Sequence, residues 1–328
     1  MSEPPDRVYG IDFSAAARDA GRNVWIAAGV PGAEGDRLAV DTLEPAVDFF
    51  EGDPTAREET LERLRCFIAG EEDAAFGLDF PFGVASDVTD ATEWTEFVAR
   101  FPETLDVDLS AGAGEEAARP AKRFYDAMDA AYEDATAVAA RDVDAVGLSP
   151  VDWRMKELTF YGIRDVLRPL VTGKGVETDG VEAETDGVEA ETDGVDAERD
   201  KSIAGDVAVV PMQPVADRSV VVFETYPSEV FRELDANPDG YKGRRNGHLQ
   251  ARLENLHALE GAGVAFAGDG ERANGEGPAS DDARARRVKA SAYDDALDAL
   301  GACYATWKHT ATGADFEHAP ESFGEIYV

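Results

Sequence analysis

Apolar residues in this chain form short continuous runs near the N-terminus and helix-spaced stripes farther along. Val8 to Ser14, Val-Tyr-Gly-Ile-Asp-Phe-Ser, has the pattern of a buried strand, and Val24 to Val30 reads as a second. The small and polar stretch between them predicts a hairpin. Arg37 to Leu43 is a weaker third strand. Thr55 to Gly70 follows as an amphipathic helix whose apolar face is Leu61, Leu64, Cys66, Phe67 and Ile68. Ala75 to Phe80 and Ser219 to Phe223 are further buried strands, the second ending at Glu224. Strands interrupted by helices in this order predict an α/β fold, a mixed sheet with helices on both faces.

Between the Asp79 and Glu224 strands, about 87–170 reads as a helical insertion. Trp94, Phe97, Phe101, Phe124, Tyr125, Met128 and Tyr132 recur there at helical intervals, which favours core over a base-stacking platform. Pro227 to Leu234 is a helix opened by proline, Leu249 to Leu259 is amphipathic, and a last long helix runs from near Ala292 to Trp307. Leu297, Leu300, Tyr304 and Trp307 form its buried stripe. Two stretches fit no element. Thr178 to Glu198 repeats Thr-Asp-Gly-Val-Glu-Ala-Glu with a seven-residue period, but one Gly and one Val per unit cannot build a coiled-coil seam. Residues about 175–200 and 268–282 are therefore expected to be flexible acidic insertions in one domain spanning 1–328.

Charge changes the picture in one respect. Lys plus Arg number 31 against 68 Asp plus Glu, a net charge of −37 spread along the chain. Such a surface resembles those adapted to molar salt, where screening acts within roughly 3 Å. Net acidity therefore does not exclude a nucleic-acid substrate. Cys66 and Cys303 sit in apolar helical patterns without metal-ligand spacing and read as buried thiols of a reducing interior. With no apolar run of about 18 residues and no charged-then-apolar leader, the chain is expected to be cytoplasmic, with no membrane partner. Its oligomeric state is left open.

Against this background three acids stand out. Asp12, Asp79 and Glu224 each follow an apolar strand run and precede a turn. An isolated carboxylate in such a run is costly unless a cation or another partner offsets it, although a strand-end Asp can simply start a loop. On the last helix, Asp295 and Asp298 are three apart and Asp294 and Asp298 four apart, so either pair shares a face. Asp294 and Asp295 also suit the first turn of a helix electrostatically. Asp298 lies among Ala296, Ala299 and Ala302, small residues that let a helix approach a sheet closely. Carboxylates and water suit Mg²⁺ or Mn²⁺, and a pair of such ions can serve phosphoryl displacement.

Basic residues are scarce enough for two clusters to matter. Arg154, Lys156, Arg164 and Arg168 form one, and Lys242, Arg244 and Arg245, followed by His248, form the other. The first is a candidate for holding substrate phosphate or an acidic partner, against a plain solvated helix face, and the second for gripping substrate phosphates or pairing with this protein's own acids.

The blocks Gly10-Ile11-Asp12-Phe13-Ser14, Gly77-Leu78-Asp79-Phe80-Pro81-Phe82-Gly83, Glu224-Thr225-Tyr226-Pro227 with Phe231, and Asp294-Asp295-Ala296-Leu297-Asp298-Ala299 resemble, in this order, those of the domain-of-unknown-function family numbered 429. Ser149 to Leu170 and Tyr241 to His248 resemble its intervening blocks. Its members are described as predicted nucleases of the ribonuclease H-like fold. The resemblance implies a hydrolase with Mg²⁺ or Mn²⁺ held by Asp12, Asp79, Asp298 and Asp295, and with Glu224 in a less defined role. In that fold the first strand carries an Asp, a later strand a second acid, and the final helix one or two more. Asp295-x-x-Asp298-Ala resembles the helix motif of the junction-resolving branch. A kinase- or ATPase-like phosphoryl-transfer enzyme on the same sheet is the rival, weakened by the lack of paired Gly-rich phosphate loops. A non-catalytic binding module is the third option.

Overall fold

A computed structural model of the chain describes residues 4–33, 35–84, 89–105, 121–124, 126, 155–173, 206–215, 218–268, 279–311 and 326–327. Its centre is a mixed sheet. Strands β1 (Arg7–Asp12), β2 (Trp25–Pro31) and β3 (Leu38–Pro45) form an antiparallel meander, as the N-terminal pattern predicts. Strand β4 (Ala74–Asp79) lies parallel to β1 on its other side, and β6 (Val220–Thr225) lies parallel to β4. Short strands close the edges. Strand β7 (Val264–Phe266) pairs with β3, while β5 (Val207–Val209) and β8 (Ile326–Tyr327) pair with successive parts of β6. The order β5-β6-β4-β1-β2-β3-β7 buries β1 and β4 at the centre.

One face of the sheet carries bulk. Tyr9, Ile11 and Phe13 from β1 and its continuation, with Phe76, Leu78 and Phe80 from β4, share one core. It is covered by α1 (Arg57–Gly70), α2 (Trp94–Arg100) and α3 (156–172), whose middle turn, Gly162–Leu167, is π-helical. Tyr9 stacks on Phe76 with centroids 4.4 Å apart, and Phe67 meets both rings edge-on. Trp94, Phe97, Phe101 and Phe124 are fully buried, so these aromatics of the 87–170 stretch are core. Tyr125, Met128 and Tyr132 lie outside the described residues.

The opposite face is covered by α4 (Pro227–Glu233), α5 (Asn246–Gly261), α6 (Asp281–Ala292) and α7 (Asp294–Ala311). Helix α7 lies close against β1. A Cβ on Gly10 would fall 2.0 Å from the Cys303 backbone nitrogen and 2.3 Å from the Ala299 carbonyl oxygen. Thr306 Oγ1 donates to the Tyr9 carbonyl at 2.9 Å, fixing the helix to the strand.

Two expectations need correction. Cys303 is buried, but Cys66 is exposed. Leu61, Leu64 and Ile68 define the inward face of α1, and the helical period turns position 66 away from it. The predicted 268–282 insertion ends too late, because Asp281 and Asp282 form the first turn of α6, capped by Ser280 Oγ accepting from the Ala283 N–H at 3.1 Å. Residues 269–278 and the whole of 175–200 lie outside the described residues. Among the described residues no helix is long and apolar enough to cross a membrane.

Candidate metal centre

Parallel pairing of β1 with β4 sets Asp12 directly opposite Asp79 at the last ladder position. Alternation along both strands then decides the face. Val8 and Ala75 belong to the core beneath α7, and Gly10 and Asp12, like Gly77 and Asp79, follow them at the strand's period of two. With no side chain at Gly10, α7 approaches far enough for Asp298 to join the pair. One oxygen from each of Asp12, Asp79 and Asp298 lies within 4.8 Å of the others. Asp298 is fully buried, Asp12 is 8% exposed, and Asp79 lies between buried and exposed.

One oxygen of Asp298 is hydrogen-bonded, and the other, buried and accepting no hydrogen bond, faces a cation. Tyr241 donates its hydroxyl to Oδ1 at 2.6 Å, and Lys242 Nζ lies 2.7 Å from Oδ2. Ser228 Oγ stands 3.1 Å from the same tyrosine oxygen. The loop bearing Tyr241 and Lys242 is itself fixed. Buried Arg252 donates to the carbonyls of Tyr241 at 2.7 Å and Gly243 at 2.8 Å, and through Nε to Ser291 at 2.8 Å. Asp294 accepts from the Gly243 N–H at 2.9 Å. Among the described residues, by contrast, neither the Asp12 nor the Asp79 carboxylate accepts a hydrogen bond.

This crowding governs protonation. Burial, then the charges of Asp295, Asp298 and Asp79, push Asp12 well above the ordinary carboxylate range, with Lys242 opposing. Asp79 is raised to about 7 by burial, against the opposing charge of Lys242 and with smaller contributions from Asp298 and Glu224. Asp295 is raised to about 6 by burial and by Asp294 and Asp298. Burial alone would lower Lys242, but Asp298, Tyr241, Asp79 and Asp12 hold it well above its usual value. The arrangement has more anionic donors than cations, as a hard divalent ion requires. The residues present therefore fit Mg²⁺ or Mn²⁺, with Asp12 and Asp79 the carboxylates left open to it.

The other sequence candidates fall around this group or away from it. Asp295 is half-buried on the first turn of α7 and acts on Asp12 through its charge, outside the group of three. Glu224 is buried but belongs to the opposite sheet face, in register with Leu78. Its Oε2 accepts from the Phe82 N–H at 2.9 Å, and Trp94 Nε1 donates to the Phe82 carbonyl at 2.9 Å, so Glu224 fixes the loop after Asp79. Lys242 pairs with Asp298, while Arg244 and Arg245 are exposed. In the other cluster, Arg164 pairs with Asp165 at 2.6 Å and Arg168 donates to the Phe101 carbonyl at 2.9 Å. Lys156 lines a cavity of about 290 Å³ with Arg57, Lys122 and Tyr161, and Arg154 lies outside the described residues.

Tyr241, Ser228 and Arg252 were not anticipated. Arg252 left a signal. It shares the inward face of α5 with Leu256, as Asn255 does with Ala251 and Leu259, and a polar residue on such a stripe marks a buried hydrogen-bonding role.

Protein-family models, curated proteins and solved structures were all compared with this chain. None matches it. The four sequence blocks and the geometry above therefore carry the functional argument.

Proposed function

We propose that the chain is a metal-dependent nuclease of the ribonuclease H-like class, related to the domain-of-unknown-function family numbered 429. The observation that carries this is the convergence of Asp12, Asp79 and Asp298 from two adjacent parallel strands and one closely packed helix. Acids on a first strand, a later strand and the final helix are what the resemblance implies.

When bound, Mg²⁺ or Mn²⁺ supplies Lewis-acid polarisation of the phosphodiester and a stronger water nucleophile at neutral pH. The protein's own groups do the rest. Asp12 and Asp79 would hold the ion from the sheet, with Asp298 beside them on α7. The Tyr241 hydroxyl fixes the orientation of Asp298, and Glu224 holds the loop that follows Asp79. Arg244 and Arg245 are exposed on the segment beside Lys242, available to nucleic-acid phosphates. Kinase-like chemistry fits less well, because Gly10 is occupied in helix packing and its missing side chain opens no phosphate cradle.

The test is incubation of the full chain in molar KCl with labelled single-stranded, duplex and branched DNA and RNA, with Mg²⁺ and with Mn²⁺. Cleavage that is lost in Asp12→Asn is expected. Mn²⁺ binding with no cleavage of any substrate would overturn the nuclease assignment and favour a binding module. ATP turnover would favour the kinase-like alternative.

A further inference from the structure

Two carboxylate-rich arrangements look alike in sequence: one that holds two divalent ions, and one that holds a single ion beside a fixed ammonium. The structure distinguishes them. We propose that this centre takes one divalent cation, clamped by Asp12 and Asp79, and that Lys242 occupies the second cationic position against Asp298. This deepens the metal-dependent reading and rests on it.

Asp298 is the first argument. A second ion would have to draw on its oxygens, yet Oδ1 receives the Tyr241 hydroxyl at 2.6 Å, and the buried Oδ2, which accepts no hydrogen bond, already has the Lys242 ammonium 2.7 Å away as its counter-charge. Asp12 and Asp79 differ from it in having no hydrogen-bond donor among the described residues, although Asp12 is only 8% exposed. A buried carboxylate without a donor is costly, and it faces the group of three rather than solvent. Mg²⁺ is ordinarily held by one or two carboxylates, with waters and substrate phosphates completing its shell. The Asp12 and Asp79 pair meets that need.

Charge is the second argument. One divalent ion and one ammonium match the three carboxylates of the cluster, whereas two divalent ions with the same ammonium exceed them by two charges. Tethering is the third. The backbone is fixed on both sides of Lys242, with Arg252 holding the Tyr241 and Gly243 carbonyls and Asp294 holding the Gly243 N–H. The Lys242 ammonium also stands 5.6 Å from the centre of the Tyr241 ring. Its side chain is 58% exposed, so this loop borders solvent beside the cluster. Lys242 thus serves as a positioning residue for Asp298 and as a second positive charge beside the phosphodiester.

The experiment counts Mn²⁺ equivalents on the full chain in molar KCl, by calorimetry and by the spin resonance of free Mn²⁺. Wild type, Lys242→Met, Lys242→Arg and Asp12→Asn are compared after circular dichroism has shown each to be folded. One equivalent is expected for wild type and for Lys242→Arg, two for Lys242→Met, and binding more than about 100-fold weaker for Asp12→Asn. Two equivalents on wild type, or one on Lys242→Met with unchanged affinity, would overturn the inference while leaving the cation site intact. Absence of binding to wild type would instead overturn the metal reading itself, and this inference with it.

Discussion

The two faces of the central sheet are built on opposite principles. Beneath α1, α2 and α3 the strands present Tyr9, Ile11, Phe76, Leu78 and Phe80, and interlocking rings fill the space. Beneath α7 the same strands present Val8, Gly10, Ala75 and Gly77 before ending in Asp12 and Asp79. One face gains stability from volume, and the other gives up volume so that a helix backbone comes within reach of two carboxylates. The bulky core and the acidic cluster thus lie on opposite sides of the same two strands.

The comparison is broken most severely at Gly10. Gly10→Ala puts a methyl 2.0 Å from backbone that cannot rotate aside, so a loss of about 3 kcal/mol is expected, at the upper end for overpacking. Chemical denaturation measures it, and Mn²⁺ affinity should fall with it as Asp298 is displaced. Ile11→Val, one residue along and on the other face, should cost only about 1 kcal/mol and leave Mn²⁺ affinity unchanged. Equal losses at the two positions would remove the distinction between the faces.

Asp12→Asn comes next. It should weaken Mn²⁺ binding more than about 100-fold, beyond what loss of an outer-shell group does, while the fold persists. Calorimetry in molar KCl reads the affinity directly.

The third effect is on pH dependence. Asp79 titrates at about 7 in the folded chain against an ordinary 3.8, so the folded state binds more protons than the unfolded one between those values. Stability from this group is complete below about pH 4 and is lost as pH rises through 7. In the metal-free protein, Asp79→Asn should therefore be stabilising relative to wild type by up to about 4 kcal/mol at pH 8, with the difference vanishing near pH 4. Paired denaturation curves at the two pH values check the sign, and a difference that grows towards acid would refute it.

Glu224→Gln is the mildest change. The amide oxygen can still accept the Phe82 N–H, so Mn²⁺ affinity should fall less than about tenfold. A loss as deep as that of Asp12→Asn would instead place Glu224 among the ligands.

The sequence made the central strands and α7 legible because carboxylates interrupt otherwise apolar runs at Asp12, Asp79 and Asp298. The edges were not legible in the same way. Val207–Val209 and Val264–Phe266 are too short to display a period, and α6 is so charged that its first turn blends into an acidic loop. Glu224 shows another limit. It follows its strand just as Asp79 does, but a one-residue offset in register sends it to the other face, and register across separate strands is a tertiary property. Lys242 was legible only as a choice between phosphates and the protein's own acids, because the fold alone brings Asp298 to it.

The matched ladder position of Asp12 and Asp79 has a consequence for how this site could change. Their backbone spacing is fixed by the hydrogen-bond repeat of neighbouring strands, about 4.8 Å, which behaves as a lattice constant. No gradual adjustment of loops can widen or narrow it, and a slip by one residue would turn one acid to the opposite face. Under the proposed metal reading, adjustment to an ion of another size must therefore come from the helix and the tethered loop, which carry Asp298, Tyr241 and Lys242. The sheet acts as a fixed jaw, and the parts packed against it form the adjustable one.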